Sequence, residues 1–392
     1  VYHGLGDGNF SEVVSFNVNL AGFVGNQIRL ADLNRDGITD LVLIDGSYVE
    51  WVPIYPTYRV GDVVPLASPD DGSEATVMIT DFNGNGSQDV VWSSYNDLYY
   101  LDLAGPTHFG MLTSVQNGFG KTTTYAYSSS AALAQAALEA DEPWSFALPS
   151  AMPVPIQQTH TFASGEPDQV SLFSVRDGFW DGEERRFGGF LLSETTSQGA
   201  TPVNTLVEEV IYHPGIGEER CLRGKVVQKT RKDGNGKVFD VEQNTYDAFG
   251  LSLINSDHPK LKMPLTLSNT KNIYEGSTTP VSIKTEYSYN EYGQKSQEHH
   301  HGRLDMDQDQ KIIHTQYANN FTEWVLDKKA ETYTSEDSTS AHYQKTRYFY
   351  YSDDGNILDN GESGNGLLAE IKQYNQEEDR WLDVAEKQYD TA

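Results

Sequence analysis

Two short Asp-rich segments with the same pattern lie 49 residues apart near the start of the chain, and they constrain the fold more than any other feature. Residues 32–40 read DLNRDGITD and residues 81–89 read DFNGNGSQD, and an apolar run follows each of them. At this offset both units are predicted to contain a strand, an Asp loop, a strand, a tight turn and a further strand. Strands that recur with such a period are typical of β-propeller blades, and about two blades are present, so we expect only part of a propeller.

Each Asp loop places oxygen atoms at a spacing that suits a hard cation. Side chains at positions one, three and five of such a loop converge, glycine at position six permits a sharp bend, the carbonyl at position seven points inward and the carboxylate at position nine closes the site. We therefore predict a structural Ca2+ in each loop, bound more tightly in the first loop because it has three carboxylates against two. The predicted ligands are Asp32, Asn34, Asp36, Ile38 and Asp40 in the first loop, and Asp81, Asn83, Asn85, Ser87 and Asp89 in the second.

A loop without metal explains the same pattern. Asp and Asn side chains accept hydrogen bonds from backbone N–H groups further along the chain, and such Asx turns hold a loop in shape without an ion. In both alternatives the loops have a structural role, and a measurement of calcium binding decides between them.

The rest of the sequence favours an all-β fold. The chain has 23 Tyr, 16 Phe and 34 Gly among 392 residues; aromatic residues suit strands, and glycines suit the turns between them. Its formal net charge of -29 would repel a phosphate backbone, so we expect no nucleic acid as a partner. No apolar run approaches the ~20 residues that span a bilayer, so we expect no direct membrane insertion. The single cysteine, Cys221, excludes an internal disulfide.

The blade-like pattern ends at Gly105-Pro106. This break predicts a boundary between a first domain of residues 1–104, with the Asp loops, and a second domain of residues 105–392. Both ends of the sequence stop within a pattern, so we expect the chain to be a segment of a longer polypeptide.

The second domain begins with a predicted hairpin and helix. The dipeptide Asn117-Gly118 favours a two-residue turn between two strands. The only clear helix is predicted over residues 131–140, a run of strong helix formers capped by Ser130.

From residue 157 onward we predict strands and turns with a loose repeat, in which a Tyr precedes a Gly by four positions. The copies begin at Tyr246, Tyr289 and Tyr351, and a fourth begins at Tyr389. We expect the Tyr to end a strand and lay its ring over the neighbouring strand. The following residues begin a turn, and the Gly supplies the positive φ that the turn needs. Repetition of this unit predicts a ribbon of β-hairpins.

No motif carries a specific catalytic signal. Residues 176–190, RDGFWDGEERRFGGF, form the most distinctive string, and a glycosidase would need a carboxylate pair. Glu183 and Glu184 are adjacent, and on a strand they would point to opposite faces, so we interpret the string as turns with acidic side chains beside arginines. The histidine triplet 299–301 is interpreted as a solvated turn beside Gly302, because three consecutive histidines rarely converge on one ion. We therefore predict no enzyme activity.

Taken together, these residues resemble the B component of bacterial toxin complexes (Tc toxins), which is related to SpvB-type virulence proteins and to Rhs/YD-repeat proteins. The loops at 32–40 and 81–89 are similar to its propeller repeats, of the FG-GAP/VCBS type. The string 176–190 and the segment 112–144 resemble its middle region, and the Tyr-x-x-x-Gly units resemble YD repeats. The resemblance implies a partial β-propeller followed by an Rhs/YD-repeat β-hairpin shell with one short helix.

The resemblance also implies a structural function in toxin delivery. In that family the propeller docks on the translocation channel formed by the A component. The YD-repeat part joins the C component in a hollow shell that encloses an unfolded toxic effector. The A component, the C component and the effector would then be the partners, and the protein would be secreted without a signal in this segment. The autoproteolytic residues and the toxic domain of the family lie in the C component, and nothing in this sequence matches them.

Two other functions are compatible with the sequence. A secreted or surface-exposed adhesion protein would use calcium-stabilised blades to bind glycans or receptors, and a glycan array would reveal binding to glycans. An enzyme, such as a glycoside hydrolase or an ADP-ribosyltransferase fused downstream, would show measurable turnover.

Overall fold

Strands dominate the structure, and the all-β class that the sequence predicts is confirmed at that level. The chain divides into two compact units, Val1–Trp180 and Asp181–Ala392. No helix in the described part of the chain is both long and apolar enough to cross a membrane. The computed structural model describes residues 4–13, 15, 28–46, 48–56, 59–68, 75–103, 105, 110–250, 262–274, 276–306, 310–336 and 343–389.

The predicted boundary at Gly105-Pro106 falls inside the first compact unit, and Pro106 lies outside the described residues. The assignment of residues 1–104 and 105–392 to separate domains therefore stays a prediction.

The first unit consists of short strands and, among its described residues, one α-helix, α1 (Ser130–Glu139). The strands are β1 (Gly4–Gly6), β2 (Asn9–Phe10), β3 (Ile28–Ala31), β4 (Asp40–Asp45), β5 (Tyr48–Val52), β6 (Ile54–Tyr55), β7 (Arg59–Val60), β8 (Val64–Leu66), β9 (Thr76–Thr80), β10 (Asp89–Ser93), β11 (Leu98–Leu101), β12 (Ser114–Gln116), β13 (Lys121–Ser129), β14 (Pro153–Phe162) and β15 (Gln169–Asp181), which ends at the first residue of the second unit.

Each Asp loop connects the first two strands of a small antiparallel sheet. One sheet has the order β3-β4-β5-β8 and the other contains β9, β10 and β11 with β10 in the centre. Both sheets therefore have the order of strand, loop, strand, turn and strand that the sequence predicts. Side chains from the two sheets share one buried core, which includes Leu33, Val42, Val49, Val90 and Trp92. The apolar runs that follow the loops are the central strands β4 and β10, and this position explains their burial.

The predicted hairpin and helix are both present in the first unit. β12 and β13 pair around a turn in which Gly118 has a φ of 75°. The helix begins one residue earlier than predicted: its N-cap is Ser129, whose hydroxyl accepts a hydrogen bond from the Ala132 N–H at 3.0 Å. The hydroxyl of Ser130 instead accepts from the Met152 N–H at 2.9 Å, which ties the start of the helix to the segment before β14.

The second unit is an antiparallel meander in which each strand pairs with the next strand along the chain. Two 3-10 turns, Pro202–Asn204 and Gly217–Leu222, lie in its connections. Its strands are β16 (Arg186–Ser197), β17 (Leu206–Tyr212), β18 (Val226–Asp233), β19 (Val238–Gly250), β20 (Lys262–Ile273), β21 (Val281–Tyr289), β22 (Lys295–Arg303), β23 (Lys311–Asn320), β24 (Val325–Ser335), β25 (Tyr343–Tyr350), β26 (Leu368–Asn375) and β27 (Arg380–Glu386).

Most strand positions of the second unit are half-buried on both faces of the sheet, as in β18, where every residue except Asp233 is half-buried. Domains usually bury one face of a sheet against a second layer, whereas here buried apolar clusters are small. Cross-strand ion pairs support the sheet instead, since opposite charges on facing strands stabilise their pairing. Examples are Lys229 with Glu208 (2.7 Å), Arg231 with Asp240 (2.7 Å) and Arg347 with Glu331 (2.6 Å).

Two of the Tyr-x-x-x-Gly units form the predicted turn. Tyr289 is the last residue of β21 and Gly293 has a φ of 74°, while Gly355 has a φ of 77° in the third unit. The prediction is wrong for the first unit, because Tyr246 and Gly250 both lie in β19 and remain paired with β20. Asp390, which follows the Tyr of the fourth unit, lies outside the described residues.

Five tyrosines share a contact beyond the turn; Tyr351 of the third unit is not among them, because its hydroxyl donates to the Lys387 carbonyl at 2.8 Å. In each of the five cases the hydroxyl donates a hydrogen bond to a backbone carbonyl of the preceding strand, as expected for a ring that lies over its neighbour. The donor and acceptor pairs are Tyr246 to Val226 (2.8 Å), Tyr289 to Thr266 (2.7 Å), Tyr317 to Lys295 (3.1 Å), Tyr350 to Lys329 (2.8 Å) and Tyr389 to Leu368 (3.2 Å).

The histidine triplet lies in a strand, and its interpretation as a solvated turn is wrong. β22 contains all three histidines and Gly302, and it pairs with both β21 and β23. The cross-strand ladder therefore continues through the glycine that the sequence suggested as a turn residue.

Candidate functional site

The first Asp loop is held by hydrogen bonds from its own backbone. Oδ1 of Asp32 accepts from the Asp36 N–H at 3.2 Å, and Oδ2 accepts from the Gly37 N–H at 3.0 Å. Oδ1 of Asn34 accepts from the same Asp36 N–H at 3.0 Å, and Oδ1 of Asp36 accepts from the Ile38 N–H at 2.8 Å. Gly37 has a φ of 85°, so the bend falls where the sequence predicts it.

Asp40, at position nine of the first loop, is fully buried and binds N–H donors with both oxygens. Its Oδ1 accepts from the Ile54 N–H at 2.8 Å, and its Oδ2 accepts from the Trp51 indole at 2.9 Å and from the Leu33 N–H at 3.3 Å. Burial raises the pKa of Asp40, and these hydrogen bonds oppose that shift. The residue anchors the loop to the core of its sheet.

The second loop repeats the backbone arrangement of the first. Oδ2 of Asp81 accepts from the Gly86 N–H at 3.0 Å. Oδ1 of Asn83 accepts from the Asn85 N–H at 2.9 Å, and Oδ1 of Asn85 accepts from the Ser87 N–H at 2.7 Å. Both loops therefore contain the Asx turns considered as the alternative to metal binding, although such turns are also compatible with an ion.

The second loop differs in having buried carboxylate oxygens without a hydrogen-bond partner among the described residues. These are Oδ1 of Asp81 and Oδ1 of Asp89. Burial raises the pKa of Asp89, and the nearby charges of Asp102 and Asp81 add to the shift. Asp102, which follows β11 and was missed in the sequence, accepts a hydrogen bond from the Asn83 amide at 2.8 Å. Burying a carboxylate oxygen without a hydrogen-bond partner costs free energy of folding, so a bound cation would stabilise the second loop.

Neither loop brings three carboxylates together within ligand distance in the part of the chain that the structure describes. There, the one group of three His, Cys, Asp or Glu side chains whose ligand atoms all lie within 4.8 Å of one another is Glu286, His299 and His301. Calcium binding at the predicted loop ligands would thus depend on amide and backbone oxygens as well, and it stays a prediction.

Glu183 and Glu184 lie in the connection between β15 and β16, not on a strand as the sequence analysis assumed. The Asp181 carboxylate accepts hydrogen bonds from the N–H groups of Glu183 and Glu184 at 3.0 and 3.1 Å. Both glutamates are therefore fixed by an Asx turn. Of the two Asp-Gly turns that the string predicts, the one at Asp181-Gly182 is found, whereas the one at Asp177-Gly178 is wrong because both residues lie within β15.

Two arginines that follow β17 bind this turn. Arg220 lies 2.5 Å from Glu183 and 3.3 Å from Asp181, while Arg223 contacts Asp181 directly and lies 2.9 Å from Glu184. The hydrogen bond from the Glu184 N–H lowers the pKa of Asp181, with Arg223 contributing, and the hydrogen bond from Arg223 lowers the pKa of Glu184. A general acid at neutral pH needs a raised pKa, whereas the pKa values of Asp181 and Glu184 are lowered. These carboxylates are therefore better suited to a structural role as ion-pair partners of the two arginines.

A cleft of about 820 Å3 lies beside the second loop and α1 in the first unit. Among its described lining residues, Arg35 and Asp81 are the charged side chains, and neither histidine nor cysteine is present; Trp144 and Phe146 belong to its apolar part.

Part of the sequence is similar to a family of toxin-complex proteins. Residues 56–213 match the family model described as the insecticide toxin TcdB middle/N-terminal region. The match includes the second Asp loop, α1 and the string 176–190. This segment is similar to that family, and the predicted resemblance to the Tc toxin B component is confirmed.

Solved structures of Tc toxin complexes share the fold. The crystal structure of TcdB2-TccC3-Cdc42 aligns with a TM-score of 0.75 and 16% identity, over 96% of this chain and 24% of that chain. The crystal structure of TcdB2-TccC3 without the hypervariable C-terminal region aligns with a TM-score of 0.76 and 16% identity, over 96% of this chain and 24% of that chain. The structure of the Photorhabdus luminescens Tc holotoxin pore aligns with a TM-score of 0.75 and 15% identity, over 92% of this chain and 22% of that chain. The chain thus spans about a quarter of the length of these chains. No curated protein matches it in sequence.

Proposed function

We propose that this chain is a structural, non-catalytic part of the B component of a secreted Tc toxin complex. The observation that carries the proposal is the family match over residues 56–213, which lies across elements that the structure arranges as small sheets, a hairpin and a helix. The fold likeness over nearly the whole chain supports it, although at 16% identity the likeness speaks for the fold alone.

In this proposal the two small sheets of the first unit are blades of a β-propeller that docks on the A-component channel. The shared core of the two sheets supports this assignment, because propeller blades pack their faces on one another. A hydrogen bond of 3.0 Å from the Asp32 N–H to the Gln88 side chain also joins the two loops. Calcium in the loops would stiffen this part of the chain.

In the same proposal, the meander of the second unit forms part of the wall of a shell that the B and C components build around an effector. Half-buried positions on both faces suit a single layer that is exposed on each side. Charged and polar side chains on such a layer would bind an unfolded chain weakly, because they offer little apolar surface to its exposed hydrophobic segments. The effector would therefore be enclosed without being held.

Adjacent residues on one strand test this idea with a matched pair. Glu208 and Glu209 lie next to each other in β17 and therefore point to opposite faces. Each lies near a lysine, Glu208 at 2.7 Å from Lys229 and Glu209 at 3.7 Å from Lys232. Glu208→Leu and Glu209→Leu are thus similar changes, of which one would face the effector.

The experiment uses the full-length protein, coexpressed with the C component encoded with it and added to the A component. The proposal predicts that the two components copurify and bind the A component, and that one of the two variants, but not the other, slows effector release. Failure of the components to copurify, or equal release by the wild-type protein and both variants, would contradict the proposal.

A further inference from the structure

The structure brings two histidines of β22 and a glutamate of β21 into one cluster. Glu286 and His299 are directly opposite each other in the pairing of the two strands. The rings of His299 and His301 are stacked, with centroids 3.7 Å apart and planes 29° from parallel. Nε2 of His301 lies 2.6 Å from Oε2 of Glu286. Three side chains with ligand atoms thus converge on one point of the sheet.

A local irregularity of the strand explains how the histidines meet. The register between β21 and β22 shifts at this place: Thr285 pairs with His300 and Lys284 pairs with Gly302, so His301 is the extra residue of a β-bulge. Bulges redirect side chains and are frequent at functional sites. His300 takes no part in the cluster, because its Nε2 lies 2.9 Å from Glu298 and its Nδ1 lies 3.3 Å from the Thr285 hydroxyl.

One nitrogen of the cluster has no hydrogen-bond partner among the described residues. This atom is Nε2 of His299, and it is buried. Oε1 of Glu286 lies 2.6 Å from Lys284 Nζ, whereas Oε2 is hydrogen-bonded to His301 Nε2, and a metal ion would take the place of the shared proton.

We propose that Glu286, His299 and His301 bind a divalent transition metal of the Zn2+ class. Two imidazole nitrogens and one carboxylate oxygen are a donor set that Zn2+ accepts, and three protein ligands leave a fourth position for water. Nitrogen donors favour Zn2+, Co2+ and Ni2+ over Ca2+ and Mg2+. The ion would join β21 to β22 at the bulge, and it would stabilise the folded chain because the unfolded chain does not hold these ligands together.

The inference is independent of toxin assembly and is tested on the purified protein alone. The protein is stripped of metal with a chelator and titrated with ZnCl2 by calorimetry in excess Ca2+, which occupies oxygen-only sites. Co2+ then replaces Zn2+ as a probe, since its visible absorption reports nitrogen ligands. The variants are His299→Gln, His301→Gln and Glu286→Gln, with His300→Gln as the control from the same triplet.

We expect one Zn2+ per chain, with His300→Gln binding as the wild type does. Loss of a residue that merely orients a ligand weakens metal binding ~10–100-fold, so loss of a ligand itself should weaken it at least about 100-fold. No binding by the wild type, wild-type affinity in His299→Gln, or an equal loss in His300→Gln would overturn the proposal. Should a variant fail to fold, X-ray absorption of the Zn2+-loaded wild type decides the matter: two imidazole ligands support the site, and oxygen ligands alone refute it.

Discussion

The hydroxyl of Tyr289 donates a hydrogen bond of 2.7 Å to the carbonyl oxygen of Thr266, and Thr266 is the residue that pairs with the preceding tyrosine of the series, Tyr246. The same relationship recurs along the meander, so that each tyrosine binds the carbonyl opposite the tyrosine before it. The pairs of tyrosine and opposite residue are Tyr212 with Val226, Tyr246 with Thr266, Tyr289 with Lys295, Tyr317 with Lys329 and Tyr350 with Leu368.

This tyrosine ladder has a physical role in fixing the register of the sheet. Register is weakly specified in strands that are polar on both faces, because a slip does not expose a hydrophobic set. Each pairing in the ladder coincides with a register shift, such as that between Thr245 and Tyr246. Each tyrosine thus contacts the preceding strand through its hydroxyl and lies at a register shift toward the next strand. Together these two features favour a single alignment of three consecutive strands.

Tyr289→Phe tests the ladder by removing one hydroxyl. The Thr266 carbonyl loses its donor, and the loss of a hydrogen bond of this kind costs about 1 kcal/mol of unfolding free energy. Urea denaturation should show a lower midpoint, with an unchanged slope. Tyr95→Phe is the control, since Tyr95 is fully exposed in a turn. Equal midpoints for Tyr289→Phe and the wild type would argue against the ladder.

The ladder also predicts a loss of stability in alkali. Burial raises the pKa of Tyr246, Tyr289 and Tyr317, and it raises the pKa of Tyr350 to about 12 from an ordinary value of 10.0. The unfolded chain ionises near pH 10.0, whereas the folded chain stays neutral until higher pH. The contribution of these tyrosines to stability should therefore be constant below pH 10.0 and fall as the pH rises toward about 12.

Thermal unfolding measured across this range checks the alkaline prediction. Tyr350→Phe should show a shallower decline than the wild type, because the residue with the largest shift no longer ionises. An identical decline in the two proteins would assign the effect to other groups.

Acid should weaken the cluster around Asp181. The pKa of Asp181 lies below its ordinary 3.8, and that of Glu184 lies below 4.5, so the folded chain favours the ionised forms. Their contribution is present above these ordinary values and is lost as the pH falls through the lowered pKa values. Asp181→Asn should destabilise the protein at neutral pH, and the difference from the wild type should shrink in acid. Asp353→Asn, in an exposed turn, serves as the control; a difference that is independent of pH would contradict the prediction.

Calcium binding remains to be measured, and the two loops can be distinguished. The carboxylate count of the sequence favours the first loop, whereas the buried oxygens without partners lie in the second loop. Titration of Asp36→Asn and Asp81→Asn with CaCl2 by calorimetry should therefore show which loop binds the ion, because the heat of binding should be lost in the variant of that loop. In the wild-type protein, Ca2+ should also raise the melting temperature. The absence of both heat and stabilisation in the wild type would leave the Asx turns as the explanation of both loops.

Local sequence patterns correctly predicted the elements that are determined by residues close together in the sequence. The repeat of Asp loops and apolar runs gave the two small sheets, and Asn117-Gly118 gave the hairpin. The helix was placed correctly apart from its cap, since Ser129 and Ser130 are both good caps and the contact of Ser130 with Met152 decides between them.

Features that depend on register were not predictable. His299 and His301 meet Glu286 through the alignment of β21 with β22 and through the bulge at His301, and the sequence shows only a triplet beside a glycine. The ladder likewise includes Tyr317, which has no glycine four residues later. Arg220 and Arg223 reach the turn at Asp181 from a distant segment, which no local pattern records.

Protease protection of the effector tests most directly whether this polar sheet encloses a cargo. The full-length protein is copurified with the C component proposed as its partner, and the complex is treated with protease before and after the proposed shell is opened with denaturant. The account predicts that the effector resists cleavage in the intact complex and is digested once the shell is opened. Digestion of the effector at the same rate with and without this protein would contradict it.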